Sequence, residues 1–251
     1  MAVRKKTFPV TPLVSIVSLI LLWWLGSRLA GPDSLPSPAS VVGVIADEAV
    51  DGELFFHTGV TLWRVAASFT IAMIAGITIG FLMGGFRKVN EILDPWLLFF
   101  LNLPALVIII LAYIWMGLTE IAAITAVAIN KIPNVVVTVR EGARTMDRGL
   151  QQMAAVFHFN WWKKLRHIIV PELAPYLAAA TRSGVALIWK IVLVVELLGR
   201  SNGVGFQLHL YFQLFDIAAI MAWGLTFIII MQMVELALIQ PFERRVNRWR
   251  K

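Results

Sequence analysis

Residues 152–175 read QMAAVFHFNWWKKLRHIIVPELAP, a basic, amphipathic segment between two long apolar runs. A membrane protein rarely keeps so long a polar loop between neighbouring spans unless that loop contacts something. The nature of this contact therefore bears directly on what the chain does.

The composition predicts an all-α polytopic membrane protein. Hydrophobic residues make up 59% of the 251 residues and charged residues 15%, whereas soluble domains carry about 45–50% and about 25%. The length suffices for about six spans of about 20 residues each. The chain has no cysteine and its four histidines are scattered, so we expect neither a disulfide framework nor a metal site.

Six apolar runs give the predicted spans, at 7–27, 59–86, 95–116, 121–139, 176–198 and 217–239. The first run is longer than the about 7–15 apolar residues of a signal peptide, which favours a retained anchor. Residues 39–53 are too polar to span and predict a short helix outside the membrane, while Pro104 predicts a kink in the third span. We therefore expect an N-terminal unit at 1–57, with a cytoplasmic tip, the first span and the external helix. A core of five spans follows at 58–251, with a cytoplasmic loop at 140–175.

Basic residues predict the orientation of these spans. Sixteen of the 22 Lys and Arg residues fall on one side, which the positive-inside rule makes cytoplasmic. They are Arg4, Lys5, Lys6, Arg87, Lys88, Arg140, Arg144, Arg148, Lys163, Lys164, Arg166, Arg244, Arg245, Arg248, Arg250 and Lys251. Both termini and the long loop are thus expected in the cytoplasm. Topology and anionic lipid account for the net charge of +7, so nucleic-acid binding is not expected.

The long loop reads as a helix, a short turn and a second helix. Leu150, Met153, Ala154, Phe157 and Trp161 recur at three- and four-residue spacing and form an apolar stripe about two turns long. Such a helix suits a groove on a soluble partner. It suits lipid headgroups equally well, because tryptophans flanked by lysines favour that interface. The residues alone leave both readings open.

Charges within the spans are candidates for function, because ionisable groups at membrane depth are costly. Lys131, Arg182 and Lys190 are cationic and would suit the path of an anionic solute. Alternatively, Arg182 snorkels to the cytoplasmic surface while Lys190 pairs with Glu196 or Glu235. Four residues form our candidate set for a translocation path: Lys131, Arg182, Lys190 and Glu196. Arg64, near the external end of the second span, is expected to snorkel or to anchor the turn.

The loop also resembles the cytoplasmic loop of permease subunits in binding-protein-dependent ABC importers. That loop has the pattern Glu-Ala-Ala, three residues, Gly, nine residues, Ile, any residue, Leu, Pro. When the pattern is aligned so that its Pro falls on Pro171, Gln152-Met153-Ala154 occupy the positions of the triplet. His158 then occupies the Gly position, Ile168 the Ile position and Val170 the Leu position. Further stretches resemble the nitrate/sulfonate/taurine branch in order and spacing: LPSPASVV, TLWRVAASF, EILDPWLLFFLNLPALVIIILAYIWMGLTE, IPNVVVTVREG, PELAPYL and WKIVLVVELLGRSNGVGFQL.

This resemblance implies a type I ABC importer permease fold in the bacterial inner membrane. It further implies a second permease copy, two cytoplasmic ATPase subunits that hold ATP and Mg, and a periplasmic solute-binding protein. The chain lacks a GxxxxGK[ST] loop, so ATP hydrolysis would be carried by the partner and this chain is not expected to be an enzyme. The expected solute is small and anionic, of the nitrate, sulfonate, taurine or bicarbonate class, and a heterocyclic vitamin precursor would fit the family as well.

The resemblance also assigns site residues. Those expected to couple to the ATPase are Gln152, Met153, Ala154, Ala155, Phe157, His158, Asn160, Ile168 and Pro171. Gly203 and Gly205 are expected near an external gate that faces the binding protein. One alternative is an ATP-independent secondary transporter or channel subunit, and the lack of an inverted repeat in the sequence argues against it. The other is an intramembrane enzyme, and the lack of a catalytic set of residues at membrane depth argues against that.

Overall fold

The computed structural model describes residues 10–241 and Arg245, and every regular element within them is helical. The α-helices are α1 (Val10–Ala30), α2 (Pro38–Val50), α3 (Glu53–Gly85), α4 (Arg87–Asn102), α5 (Ala105–Met116), α6 (Glu120–Arg144), α7 (Arg148–Val156), α8 (Trp161–Lys164), α9 (Val170–Gly199), α10 (Val204–Gln213) and α11 (Ile217–Val234). A π-helical turn, Leu165–Ile169, joins α8 to α9, and a second, Glu235–Ile239, extends α11.

Four helical stretches are long and apolar enough to cross a membrane. They are Glu53–Gly85, Glu120–Arg144, Trp161–Gly199 and Ile217–Ile239, and α4 with α5 makes a fifth if that bent pair counts as one span. The all-α membrane fold predicted from composition is therefore confirmed. The predicted first span starts at residue 7, outside the described residues, and its described part is the apolar helix α1.

The predicted third span, 95–116, is not one kinked helix. It is divided between α4 and α5, whose axes are bent by 97°. Leu103 takes an extended conformation with φ −72° and ψ 125°, and Pro104 precedes the first turn of α5. The residue before a proline avoids the α conformation and the proline has no N–H to donate, so the chain breaks completely at this pair.

Close packing of α3 against α6 forms the centre of the bundle. Gly76, Gly80 and Gly84 recur every fourth residue on one face of α3. A Cβ atom at Gly76 would lie 2.5 Å from Cβ of Val135, and one at Gly84 would lie 2.4 Å from Cβ of Ala143. These glycines let the two backbones approach as small residues do between helices in lipid.

Two short helices lie outside the candidate spans and contact each other. The predicted polar helix at 39–53 is observed as α2, and the connector after α9 contains α10. The Tyr211 hydroxyl donates a hydrogen bond of 2.5 Å to Oε1 of Glu48, which joins α10 to α2. Burial, reinforced by this bond, raises the pKa of Tyr211 to about 12.

Candidate functional site

The coupling segment, defined here as residues 148–164, has the predicted helix–turn–helix form. The Asp147 carboxylate caps α7 by accepting from the Gly149 N–H at 2.6 Å. The Asn160 side chain caps α8 by accepting from the Lys163 N–H at 2.8 Å. Short polar side chains that accept from the first turn of a helix fix where it starts, so the sequence itself sets both helix beginnings.

His158 forms the turn that glycine provides in the family pattern. Its φ is +48°, in the left-handed region. The His158 N–H donates to the Ala155 carbonyl at 3.1 Å, and the Phe159 N–H donates to the Ala154 carbonyl at 2.8 Å. This pair of bonds is a Schellman C-cap, which ends α7 with a residue in the left-handed conformation. The turn is therefore preserved although its glycine is replaced.

The coupling segment is anchored on one side and exposed on the other. Ala154, 3% exposed, and Ile168, also 3% exposed in the π-helical turn, pack against the rest of the chain. Phe157, Trp161 and Trp162 have 69%, 57% and 74% of their surface exposed. The other predicted coupling residues are also exposed: Gln152, Met153, Ala155, His158, Asn160 and Pro171. The stripe thus divides into a buried anchor and an open apolar face.

At the opposite end of the spans, Arg64 is the centre of a buried polar cluster. Its Nη1 donates to Oε1 of Glu196 at 2.7 Å and to the Asn202 carbonyl at 2.8 Å. Its Nε and Nη2 donate to the two carboxylate oxygens of Glu120, both at 2.8 Å. Thr61 donates to Oε2 of Glu196 at 3.0 Å. Arg64 is 1% exposed and Glu196 0%. Of the two roles expected of Arg64, snorkelling is wrong, because the buried Glu196 of α9 and the partly exposed Glu120 of α6 pair with it inside the subunit.

Gly203, the last residue before α10, and Gly205, in the first turn of α10, close this cluster. The Gly205 N–H donates to Oε2 of Glu196 at 2.8 Å, and the Gly203 N–H donates to Nδ1 of His57 at 2.9 Å. His57 Nδ1 is therefore unprotonated and its Nε2, 3.0 Å from Oε2 of Glu53, carries the proton. Both glycines are buried in the subunit, so the surface of this region is formed by its other residues.

Lys131 lies at mid-span and inside the subunit. It is 2% exposed, and its side chain lies beside Gly184 and Phe69. Within the described part of the chain it makes no ion pair or hydrogen bond. A buried ammonium without a carboxylate is costly, which keeps Lys131 a candidate for function.

Arg182 and Lys190 both lie on the exposed face of α9. Nε of Arg182 is 3.5 Å from Oε1 of Glu235, and the Lys190 ammonium lies 5.5 Å from the centre of the Trp189 ring. The alternative that Lys190 pairs with Glu196 or Glu235 is wrong, because these carboxylates are taken by Arg64 and Arg182. The exposed pair is therefore separate from the buried Lys131 and Glu196.

Residues 72–248 match the family of binding-protein-dependent transport system inner membrane components. The chain belongs to this family. It is accordingly a membrane permease component of an ABC importer, which works with an ATPase and a solute-binding protein.

Relatives of this permease align along most of its length. It is 26% identical over 234 residues to the putative aliphatic sulfonates transport permease protein SsuC of Bacillus subtilis, covering 92% of this chain and 84% of SsuC. It is 27% identical over 207 residues to the bicarbonate transport system permease protein CmpB of Synechococcus elongatus, covering 78% and 74%. Over 242 residues it is 24% identical to the taurine transport system permease protein TauC of Escherichia coli, covering 94% and 88%.

Solved structures share the fold. The MetNI methionine ABC transporter in inward-facing conformations superposes with a TM-score of 0.64 at 16% identity, covering 74% of this chain and 92% of that one. An amino acid ABC transporter with histidines gives 0.64 at 18% identity, covering 80% and 97%. The predicted permease fold is thus confirmed.

The sequence interpretation did not connect Arg64, Glu120, Asn202 and His57 with the residues that they bind. Arg64 and Glu196 are 132 positions apart, so neither periodicity nor spacing relates them. The available signal was depth, because Arg64, Glu120 and Glu196 lie near the same end of their predicted spans, and opposite charges at equal depth are expected to pair.

Proposed function

We propose that this permease translocates a small anionic solute, delivered by a periplasmic binding protein, through a path formed by two copies of the chain. Two cytoplasmic ATPase subunits, which hold ATP and Mg, drive the transport by docking on the coupling segment. The observation that carries the proposal is the open apolar face of this segment in a chain of the importer family. The buried side of the segment transmits the movement of the ATPases to the spans.

The exposed side chains of the coupling segment support docking on a protein. Phe157 and Trp162 are 69% and 74% exposed although large apolar side chains favour burial. Both residues follow Ala154, which is buried against the rest of the chain. A force that a partner applies to them is therefore transmitted through the short coupling segment to the helices that Ala154 contacts. In this proposal the exposed residues dock on the ATPase, and the buried Ala154 and Ile168 anchor the segment to the spans. The docking residues are Gln152, Met153, Ala155, Phe157, His158, Asn160 and Pro171.

Exposed cations at membrane depth support a path for an anion. Lys190 lies nine residues, about 13 Å, from the external end of α9. An ammonium there would be costly in lipid, and a water-filled interface with a second copy of the chain removes that cost. The permeases named for sulfonates, bicarbonate and taurine handle solutes that carry an acidic group, which supports the same class here. Lys131, Arg182, Lys190 and Glu196 are the candidate path residues, and the two exposed cations are the ones open to the interface.

Charge placement supports an orientation with both termini and the coupling segment in the cytoplasm of a bacterial inner-membrane protein. The cluster around Arg64, with Gly203 and Gly205, then lies on the external side beneath the surface that receives the binding protein. The family match at 72–248 falls within the core unit 58–251 and supports the division from residues 1–57.

Replacing Phe157 with Glu tests the coupling proposal. We expect the purified permease to keep its melting temperature, because this side chain is exposed, but to lose co-purification of the ATPase subunits and solute uptake together. Phe215→Glu is the matched control, because Phe215 is 84% exposed at the other end of the spans and should leave ATPase binding unchanged. Uptake that survives Phe157→Glu would support an ATP-independent carrier instead.

Replacing Lys190 with Met tests the path for an anion. We expect uptake of taurine, an alkanesulfonate, bicarbonate or nitrate to fall while ATPase binding stays intact. Lys190→Arg keeps the positive charge and should retain most uptake. If Lys190→Met leaves uptake of each of these anions unchanged in proteoliposomes, Lys190 has no role in the path.

A further inference from the structure

A cavity of about 870 Å³ lies between the coupling segment and the ends of α3 and α9. Its volume is in the range of ligand pockets, about 300–1,000 Å³. Its wall is formed by four parts of the chain: the end of α3 with the following Phe86, the end of α6 with Met146, the coupling segment, and the π-helical turn with the start of α9 as far as Leu177. The cavity therefore connects the docking element with the spans.

The interior of this cavity is apolar and extends into the membrane-spanning part. Ile77 lies eight residues, about 12 Å, from the end of α3 at Gly85, and Leu177 lies seven residues, about 10 Å, beyond the start of α9 at Val170. Phe81 and Leu173 line the space between these levels. A hydrocarbon chain could enter to this depth without meeting a charged side chain.

The opening is basic. Arg144, Arg148 and Lys164 line the cavity, and none of its lining residues is acidic. Arg144 donates to Glu141 at 3.1 Å and to Asn90 at 2.8 Å. Arg148 and Lys164 make no ion pair or side-chain hydrogen bond within the described residues. Two cations are thus available at the mouth of an apolar cavity, and each sits on the coupling segment.

We propose that the cavity binds one anionic phospholipid of the cytoplasmic leaflet. An acyl chain lies between α3 and α9, and the phosphate lies between Arg148 and Lys164. Charge complementarity selects this occupant, because the site combines an apolar interior with unpaired cations at the side where anionic headgroups are concentrated. The proposal rests on the cytoplasmic placement of the loop and not on the identity of the solute.

The lipid would act as a link between the coupling segment and the spans. Gln151, Trp161 and Lys164 belong to the coupling segment and line the same cavity as Phe81 and Leu177. A molecule that contacts both sides fills the space between them. We therefore expect it to stabilise the coupling segment in its docked position.

Lipid binding to the purified permease–ATPase complex tests the proposal. Delipidated complex is titrated with phosphatidylglycerol or with phosphatidylcholine of the same acyl chains, and bound lipid is counted by native mass spectrometry. We expect one tightly bound phosphatidylglycerol per permease chain and at least several-fold weaker binding of phosphatidylcholine. Equal binding of the two lipids would overturn the proposal.

Two sets of variants separate the headgroup from the chain. Arg148→Gln with Lys164→Gln should weaken phosphatidylglycerol binding about 30-fold, since each basic side chain near an anionic headgroup contributes about fivefold. Lys163→Gln with Arg166→Gln makes the same charge change on neighbouring residues that do not line the cavity, and should leave binding unchanged. Equal losses in both pairs would show a nonspecific basic surface and overturn the site.

Leu177→Trp should fill the end of the cavity that lies deepest in the membrane and abolish tight binding of the lipid. The three basic residues Arg144, Arg148 and Lys164 are unchanged in this variant. Thr78→Trp, at an exposed lining position, does the same should Leu177→Trp fail to fold. If either of these variants folds and still binds phosphatidylglycerol as tightly as wild type, the proposed site for the acyl chain is wrong. Because the readout is bound lipid, a failure here leaves the ATPase and anion tests of the proposed function unaffected.

Discussion

The two ends of this permease treat their polar and apolar groups in opposite ways. At one end, Arg64 and Glu196 are 1% and 0% exposed, and their hydrogen-bonding groups find partners inside the subunit. At the end that carries the coupling segment, Phe157 and Trp162 are 69% and 74% exposed although they are apolar. One end is complete within a single chain, whereas the other leaves a surface that a partner can cover.

This difference indicates where the molecule is rigid by itself and where it depends on assembly. A buried ion pair fixes α3, α6 and α9 relative to each other, because separating it leaves charges without partners. An exposed apolar face adds little to the stability of the isolated chain and gains free energy when it is covered. Mutations in the cluster around Arg64 should therefore change folding, and mutations on the exposed face of the coupling segment should change assembly.

Arg64→Met should have the largest effect. It leaves Glu196 buried without its cation, and breaking a buried pair from one side costs about 3–5 kcal/mol. We expect the apparent melting temperature of the purified permease to fall by about 10 °C. Arg64→Met with Glu196→Gln should recover part of the loss, and Arg87→Met, at a side chain 92% exposed, should change little. A stable Arg64→Met single variant would show that the cluster does not hold the helices.

Gly205→Ala should have the next largest effect. Its Cβ would lie 2.2 Å from the Leu193 carbonyl oxygen and 2.7 Å from Cβ of Glu196. The backbone must move to admit it, at a cost of about 1–3 kcal/mol. Thermal unfolding measures the loss, and Gly224→Ala is the control, because no atom lies within 4 Å of its Cβ. Equal stability of the two variants would contradict the close approach of α10 to α9.

Tyr211→Phe should cost about 1 kcal/mol by removing the hydrogen bond to Glu48. The pKa of Tyr211 is raised from 10.0 to about 12 by burial and by this bond, so the protonated hydroxyl is favoured in the folded state. Its stabilisation is complete below pH 10 and is lost as the pH rises through about 12. Wild type and Tyr211→Phe should therefore differ in melting temperature at pH 8 and converge near pH 12. A difference that persists at that pH would exclude the hydroxyl as its source.

His158→Gly should have the smallest effect and the opposite sign. Release of the left-handed strain at His158 gains about 1–2 kcal/mol, and the greater freedom of glycine in the unfolded chain offsets about 0.5–1 kcal/mol of it. We expect a melting temperature equal to or slightly above that of wild type, with ATPase binding retained. His158→Val should lower it, because a β-branched residue fits this φ poorly. Loss of ATPase binding in His158→Gly would show that the imidazole itself contacts the partner.

Much of the fold could be predicted from local sequence. Apolar runs of about 20 residues located the spans, and the alternation of polar caps and apolar residues located α7, the turn and α8. The extent of the break at Pro104 could not be predicted in this way, since a proline permits anything from a slight kink to the 97° bend that is observed.

The candidate site was predictable only in part. The coupling segment is contiguous, so its spacing carried the information. The sequence did not reveal that Ala154 is an anchor and Phe157 is open, because that division depends on which neighbours the helix meets. The sequence also could not decide whether Glu196 forms its ion pair with Arg64 or with Lys190. Both cations are compatible with this carboxylate as long as the packing of the helices is unknown.

The sequence by itself determined the membrane class, the rough position of the apolar helices, the charge asymmetry and the form of the coupling segment. These properties follow from composition and from patterns within about 20 residues. Only the tertiary structure decided the ion pairs of Arg64, the burial of Gly203 and Gly205, and the basic cavity beside the coupling segment. Each of these joins elements that are far apart in the chain, and their contacts arise only when the helices pack.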